Sequence, residues 1–306
     1  MVEEVRKGGV LPPGEPVVAM LSGGRDSTCL LDLTVRLLGP ELVTAVHVNY
    51  RLREGSDEDQ AFCERLCERL GVRLEVEWPR RPEGPGNLQA WARDARYAAA
   101  ARLAHGEGAR IATGHTADDQ VETILYRLAS SPGRRALLGM RERDGMLVRP
   151  LLASTRADTT SYCEEAGLPW CDDPTNEETG YARNRVRHDL VPAFAEIHPA
   201  AARNVLRTAE LLRDEAEVLD ALVDAELEGS NGSRATITLQ RLGELPGAMR
   251  RLVVQRLADR AAGRPVPGAA NHADEVAALR RTGIAMLDLG GGVRAVVERG
   301  ILHAER

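Results

Sequence analysis

Three groups of residues in this sequence carry types and spacings suited to chemistry. The first is Ser22-Gly23-Gly24-Arg25-Asp26-Ser27, between an apolar run at residues 17–21 and a helical pattern with Leu30, Leu33 and Leu37 on one stripe. Two glycines let the backbone turn sharply and approach a ligand. The first N–H groups of the following helix lack intrahelical partners and sit at the positive end of its dipole. Such a strand-to-helix loop is an anion site. Asp26 sharpens this, because a carboxylate in an anion cradle repels phosphate unless a divalent cation lies between them. It therefore points to Mg²⁺ bridging to phosphates. The plainer alternative is a turn in which Ser and Asp cap the helix. The loop lacks the G-K-[ST] ending of a Walker A motif and is not G-x-G-x-x-G.

The second group is Gly114-His115-Thr116-Ala117-Asp118-Asp119-Gln120-Val121-Glu122-Thr123. Val121, Ile124, Leu125 and Leu128 are spaced as the buried face of a helix. Asp118, Asp119 and Glu122 lie off that stripe within one turn, where like charges repel. They suit a cation site, or else complement the helix N-terminus. The third group, Arg183, Arg185 and Arg187 with His188, is a basic cluster. It reads either as a solvated face or as a phosphate clamp.

The elements that must position these groups alternate. Strands are expected at 17–21, 42–48, 72–78 and 109–113. Helices are expected after residue 27, from a Ser56 cap to Leu70, at 88–105 and at 117–128. Such alternation implies a parallel sheet covered on both faces. After Pro150 the pattern changes. Ser154 is expected to cap a helix ended by Gly167, residues 169–180 read as loop, and Pro192 and Pro199 bracket a boundary. A long helix at 200–227, a strand at 235–239, a helix at 248–262 and a terminal Gly-rich hairpin follow. The expected fold class is thus α/β, with a catalytic domain at 1–197 and a smaller α+β domain at 198–306.

At 306 residues, two domains is the better expectation. No apolar run is long enough for a membrane span, and residues 1–9 lack the core of a signal peptide; a cytoplasmic protein is expected. The five cysteines include no C-x-x-C pair, which argues against a disulfide framework or zinc ribbon. Cys63 and Cys67 read as small apolar helix residues. Aromatics make up 3%, so the core must be mostly Ala, Leu and Val. The net charge of −6 does not advertise a nucleic-acid binder, but Lys7 is the single lysine and the other 39 basic residues are arginine. Phosphate contacts must then be made by guanidinium forks.

The complete S-G-G-x-D-S after an apolar strand resembles the PP-loop of the ATP pyrophosphatase superfamily, with its adenine nucleotide alpha hydrolase-like fold. Further segments narrow the resemblance. G-H-x-x-D-D-Q-x-E-T at 114–123, His47-Val48-Asn49-Tyr50-Arg51-Leu52-Arg53, and the helix from Asn87 to Tyr97 are similar to signatures of the tRNA(Ile)-lysidine synthetases. So are Leu168-Pro169-Trp170, Asp173-Pro174-Thr175-Asn176 and Arg183-Asn184-Arg185-Val186-Arg187. The likeness covers about residues 15–200; the Gly-rich end is a weaker match. Tyr50 replaces a usual histidine, Ser130-Ser131-Pro132-Gly133 replaces R-G-[ST]-G, and Leu289-Gly290 replaces L-P. A longer form of the family has a further C-terminal domain, for which this chain is too short.

The resemblance implies ATP-dependent ligation of L-lysine to C2 of the wobble cytidine, position 34, of tRNA(Ile) with a CAU anticodon. The route is an adenylated cytidine, and the outcome is a switch from AUG to AUA decoding. It implies ATP on Ser22, Gly23, Gly24, Arg25, Asp26 and Ser27, with Mg²⁺ on Asp26. Asp119 and Glu122 would hold the lysine ammonium groups and Arg96 would place the lysine. His115 would be the acid–base group, acting with Asp26 in catalysis. His47, Asn49, Arg53, Arg183, Arg185 and Arg187 would contact tRNA, the alternative for His47 and Arg53 being a structural loop. The rivals are a tRNA 2-thiocytidine-type thiolase and a non-catalytic tRNA-binding protein. The oligomeric state is open, a homodimer included.

Overall fold

A computed structural model describes residues 1–52, 54–82, 86–131, 133–171, 182–229, 235–280 and 282–306. Contacts divide the chain into two compact units, Met1–Glu210 and Leu211–Arg306. Among the described residues no helix is long and apolar enough to cross a membrane.

The first unit runs α1 (Val2–Gly8), β1 (Val17–Met20), α2 (Arg25–Leu38), β2 (Val43–Val48), α3 (Ser56–Leu70), β3 (Arg73–Glu77), α4 (Leu88–Glu107) and β4 (Arg110–Ala112). It continues with α5 (Ala117–Ser130), α6 (Arg134–Leu137), the short strands β5 (Arg143–Asp144) and β6 (Leu147–Val148), α7 (Arg156–Glu165), α8 (Ala182–Arg185), α9 (Val191–Ile197) and the start of α10 (Ala201–Ala225). The sheet order is β3-β2-β1-β4-β6-β5, parallel except for the β5–β6 pair. β1 pairs with β2 on one side and β4 on the other. The chain therefore reverses its direction of winding between β1 and β4. Open α/β sheets bind ligands outside the carboxyl ends of the strands at such a point.

Alternation along β1 explains why the sheet is covered twice. Val17 and Ala19 pack with Leu30, Leu33, Leu66 and Cys163, while Val18 and Met20 pack with Ala99, Ala100 and Ala104 of α4. A strand buried on both faces must be a continuous apolar run. Small alanines on α4 let that helix lie close to the sheet. As expected of a chain poor in aromatics, its largest fully buried side chains are Leu and Val.

Several local expectations are corrected. Ser56 does not cap α3, because Gly55 holds the N-cap position and no side chain caps it. α7 is capped by Thr155, not Ser154, through a capping box with Asp158. Leu128 is not on the buried face of α5; it is exposed while Val121, Ile124 and Leu125 are buried. β5, β6 and α1 were not anticipated. The two strands are only two residues each, too short to show alternation.

The second unit holds β7 (Thr236–Thr238), α11 (Leu239–Glu244), α12 (Gly247–Ala262), α13 (Ala273–Ala277), β8 (Ile284–Gly290), β9 (Val293–Glu298) and β10 (Ile301–Glu305). Its antiparallel sheet, β7-β10-β9-β8, packs Val293, Ala295, Val297, Leu302 and Ala304 against Val253, Val254 and Leu257 of α12. The Gly-rich hairpin forms as expected, and β10 adds a strand that the pattern had not shown.

Candidate nucleotide and cation site

β1 delivers the chain to the loop at residues 22–27. Gly23 has φ +87°, a conformation that suits glycine, and a side chain there would meet Cys63 and Phe62. Ser27 knits the turn: its Oγ accepts from the Ser22 N–H at 3.2 Å and donates to the Gly24 carbonyl at 2.8 Å. The N–H of Cys171 donates to the Gly23 carbonyl at 2.9 Å, fixing the outer rim. α2 begins at Arg25 with no side-chain cap, so its first N–H groups remain for a ligand.

β4 delivers the second motif beside the first. A Cβ on Gly114 would lie 2.9 Å from the Asp26 carbonyl oxygen and 3.2 Å from Ser27 N. The two loops therefore touch backbone to backbone, and only glycine fits. Thr116 caps α5 in a capping box with Asp119.

Between these loops lies a cavity of about 420 Å³. Its wall includes Ser22, Gly24, Arg25, Asp26 and Ser27 on one side and His115, Asp119, Arg156 and Arg187 on the other, with Arg96 from α4. Asp26 Oδ1 accepts from Thr159 Oγ at 2.6 Å and from Arg25 Nε at 3.0 Å. Among the described residues no cluster of three or more His, Cys, Asp or Glu could hold a metal ion. One carboxylate beside an anion cradle suits Mg²⁺, which is commonly held by one or two carboxylates, water and substrate phosphates.

The acidic pair is not bare. Arg156 donates to Asp119 Oδ1 at 3.1 Å and to Glu122 Oε1 at 2.9 Å. Arg183 reaches Asp119 and Glu122 at 3.4 Å each, and Arg187 lies 3.8 Å from Glu122. Burial alone would raise the Asp119 carboxyl. Arg156, the Thr116 N–H and Arg183 outweigh burial and hold it below the usual carboxylate range. Burial drives His115 down to about 4, helped by Arg149, Arg183 and Arg96 and opposed by Asp119. The imidazole is therefore neutral at pH 7, its Nδ1 2.8 Å from Thr113 Oγ.

The structure thus brings Ser22 to Ser27, Arg96, His115, Asp119, Glu122, Arg183 and Arg187 together. It does not do so for His47 and Asn49. His47 is 5% exposed and its Nδ1 donates to the Leu21 carbonyl at 3.0 Å; Asn49 is 3% exposed and donates to Asp57 and Gln60. Both are buried at the end of β2 and hydrogen-bonded within the protein. Tyr50 donates to the Ala92 carbonyl and packs on Trp91, tying β2 to α4. Arg185 is exposed. Arg53 and the Asp173-to-Asn176 segment lie outside the described residues. Arg156 and Thr159 were missed. The Thr155-x-x-Asp158 capping box was the available signal that Arg156 opens a helix.

A parallel sheet with a glycine-rich anion loop at its switch point defines a PP-loop nucleotide-binding domain, and the family model described as a PP-loop domain matches residues 10–194. A tRNA(Ile)-lysidine synthase of Salinispora tropica is 35% identical over 96% of this chain and 92% of its own length. One of Gloeobacter violaceus is 36% identical over 81% and 78%. The chain belongs to the tRNA(Ile)-lysidine synthase family. It is also 40% identical to the enzyme of Thermus thermophilus over 83% of this chain but spans only about half of that relative, 51%. Among solved structures, a U34-tRNA thiolase of Methanococcus maripaludis with a [4Fe-4S] cluster matches with a TM-score of 0.58 at 20% identity. That match covers 69% of this chain and 77% of the other, and at such identity it speaks for the fold alone.

Proposed function

We propose that this protein is a ligase that uses ATP to join L-lysine to C2 of cytidine 34 in tRNA(Ile) with a CAU anticodon. The observation that carries the reading is the single cavity that has the PP-loop on one wall and the Asp119 site on the other. One wall suits a triphosphate and the other a cation, so two substrates of opposite charge meet across a short gap. Family membership supplies the tRNA.

In the first step cytidine O2 attacks the α-phosphorus of ATP and pyrophosphate leaves. The N–H groups at the start of α2 and the Arg25 guanidinium would bear the phosphate charge. Mg²⁺, when bound beside Asp26, would neutralise part of that charge. In the second step the lysine ε-amine attacks C2 and AMP departs with its bonding electrons. The attacking amine must lose a proton. His115, neutral at pH 7, has a free pair to accept it, and nearby phosphate charge would raise its basicity. Asp119 and Glu122 would hold lysine ammonium, and Arg96 would face its carboxylate. Arg183 and Arg187 would exchange carboxylate partners for tRNA phosphates, joined by Arg185 and by Arg53. A 2-thiocytidine synthesis is the weaker reading. Cys29, Cys63, Cys67 and Cys163 are all buried, and only Cys171 reaches the cavity.

The test is incorporation of labelled lysine into transcripts of tRNA(Ile) with a CAU anticodon, with methionine tRNA as control. ATP-dependent label on the first and not the second is expected, with one pyrophosphate per lysine. Pyrophosphate release with tRNA but no lysine in the product would reject the reading.

A further inference from the structure

The first turn of α7 reaches both halves of the site, and nothing in the motifs assigns it a role. Arg156 opens the helix. Its N–H donates to Asp118 Oδ2 at 2.8 Å, which fixes its backbone to α5. Its guanidinium spans Asp119 and Glu122, and its side chain is 19% exposed. One turn on, Thr159, fully buried, donates to Asp26 in the PP-loop. Of the three arginines on the acidic pair, Arg156 has the shortest contacts and the least exposed side chain. Arg183 touches the same two carboxylates at 3.4 Å from a side chain 41% exposed, and Arg187 is more distant still. Glu122 is itself 3% exposed. Two carboxylates that share one guanidinium in a buried setting repel each other unless a cation lies against them.

We infer that Arg156 is a positioning residue, the permanent counter-ion that spans Asp119 and Glu122 and holds both carboxylates aimed at the ammonium of the incoming amino acid. Arg183 then marks the exchangeable position: it occupies Asp119 Oδ1 and Glu122 Oε2, which a substrate ammonium would take over. The inference rests on lysine as substrate. The charges facing the pair are Asp118 on α5, His115 before it, Arg96 on α4, Arg156 on α7, and Arg183 and Arg187 on the segment that begins with α8. Among these, Arg156 is the largest influence lowering Asp119. Burial holds His115 down at about 4 in the free protein, and any pH dependence it brings to the loaded site is shared by wild type and variants alike.

The sign follows from linkage. Without the guanidinium the Asp119 carboxyl takes up a proton at a higher pH than before. Substrate ammonium must then displace that proton, so the apparent KM for lysine rises as the pH falls through the raised pKa. The experiment measures KM for lysine from pH 6 to 8 in four proteins: wild type, Arg156→Gln, Arg156→Lys and Arg156→Gln with Glu122→Gln. Wild type is expected to vary by less than about twofold, while Arg156→Gln loses roughly tenfold or more at pH 6 relative to pH 8. Arg156→Lys keeps the charge and should restore the flat profile. The double variant removes the Glu122 charge beside Asp119 and should again give a flat profile. A flat profile in Arg156→Gln overturns the inference, as does an equal slope in Arg156→Lys.

Melting temperatures of the same four proteins and of Glu122→Gln alone give a second readout that needs no substrate. Glu122→Gln should recover part of the loss caused by Arg156→Gln. Additive losses, or failure of both to fold, would make Arg156 a packing residue and overturn its role as counter-ion. Absence of lysine incorporation by the wild type would reject the proposed reaction instead, and the melting series would still decide whether Arg156 and Glu122 act as a charge pair.

Discussion

The two sheets of this protein treat charge in opposite ways. In the first unit the carboxyl ends of β1 and β4 open on a cavity with Arg25, Asp26, Arg96, Asp119, Arg156 and Arg187 in its wall. In the second unit several ion pairs lie at the surface of its helices. Arg256 pairs with Asp220 and Asp224, Arg241 with Glu226, and Arg250 with Asp274. Exposed pairs of that kind contribute little, because water and salt screen them. The buried set around Glu122 is different, since stranding one charge there costs about 3–5 kcal/mol. A fold retains such a cluster when the cluster has work to do, whereas the second unit can lose any one of its pairs cheaply. The difference supports the proposal that the first unit carries the chemistry and the second adds tRNA affinity.

Four substitutions test that contrast, in order of expected effect on the nucleotide reaction. Asp26→Ala should reduce pyrophosphate release on the order of 100- to 1000-fold at saturating ATP and Mg²⁺, because the loop loses its carboxylate and the contact to Thr159. Release at the wild-type rate would move the nucleotide away from this loop. Gly114→Ala forces a methyl group to within 2.9 Å of the Asp26 backbone. The strain should cost ~1–3 kcal/mol of stability and at least about tenfold in kcat, measurable by melting and turnover. An active, undiminished Gly114→Ala enzyme would show that the two loops can separate without loss.

Glu122→Gln acts more narrowly. It removes a charge-assisted contact worth roughly 1.5–3 kcal/mol, so KM for lysine should rise on the order of 10- to 150-fold. Lysine-independent pyrophosphate release should change far less. If ATP affinity falls instead while the lysine KM holds, Glu122 serves the nucleotide. Leu242→Ala should have the smallest effect on nucleotide chemistry. Leu242 is fully buried in the second unit, and its loss should destabilise that unit by about 2–5 kcal/mol. ATP binding, followed by calorimetry below the melting transition, should stay within twofold. A parallel loss of ATP affinity would mean that the two units are not energetically separate.

Much of this was readable from residue order alone. The apolar run ending in Ser-Gly-Gly, the alternation of strands and helices, and the Gly-rich hairpin depend on short-range periodicity and on backbone conformations that few residues adopt. They determined the parallel sheet, the anion loop at the end of its first strand and the acidic helix after its fourth. Sequence spacing could not decide which charges would meet. Arg156 lies 34 residues from Glu122 and Thr159 lies 133 from Asp26, and both contacts arise because α7 packs against α2. The same limit holds for His47 and Asn49. Their motif marks a loop, but burial depends on what α3 lays over the end of β2. A linear pattern encodes which face of an element is apolar. It does not encode which polar groups from distant elements will neutralise one another there, because that depends on Coulomb and desolvation energies set by distances only the folded chain defines.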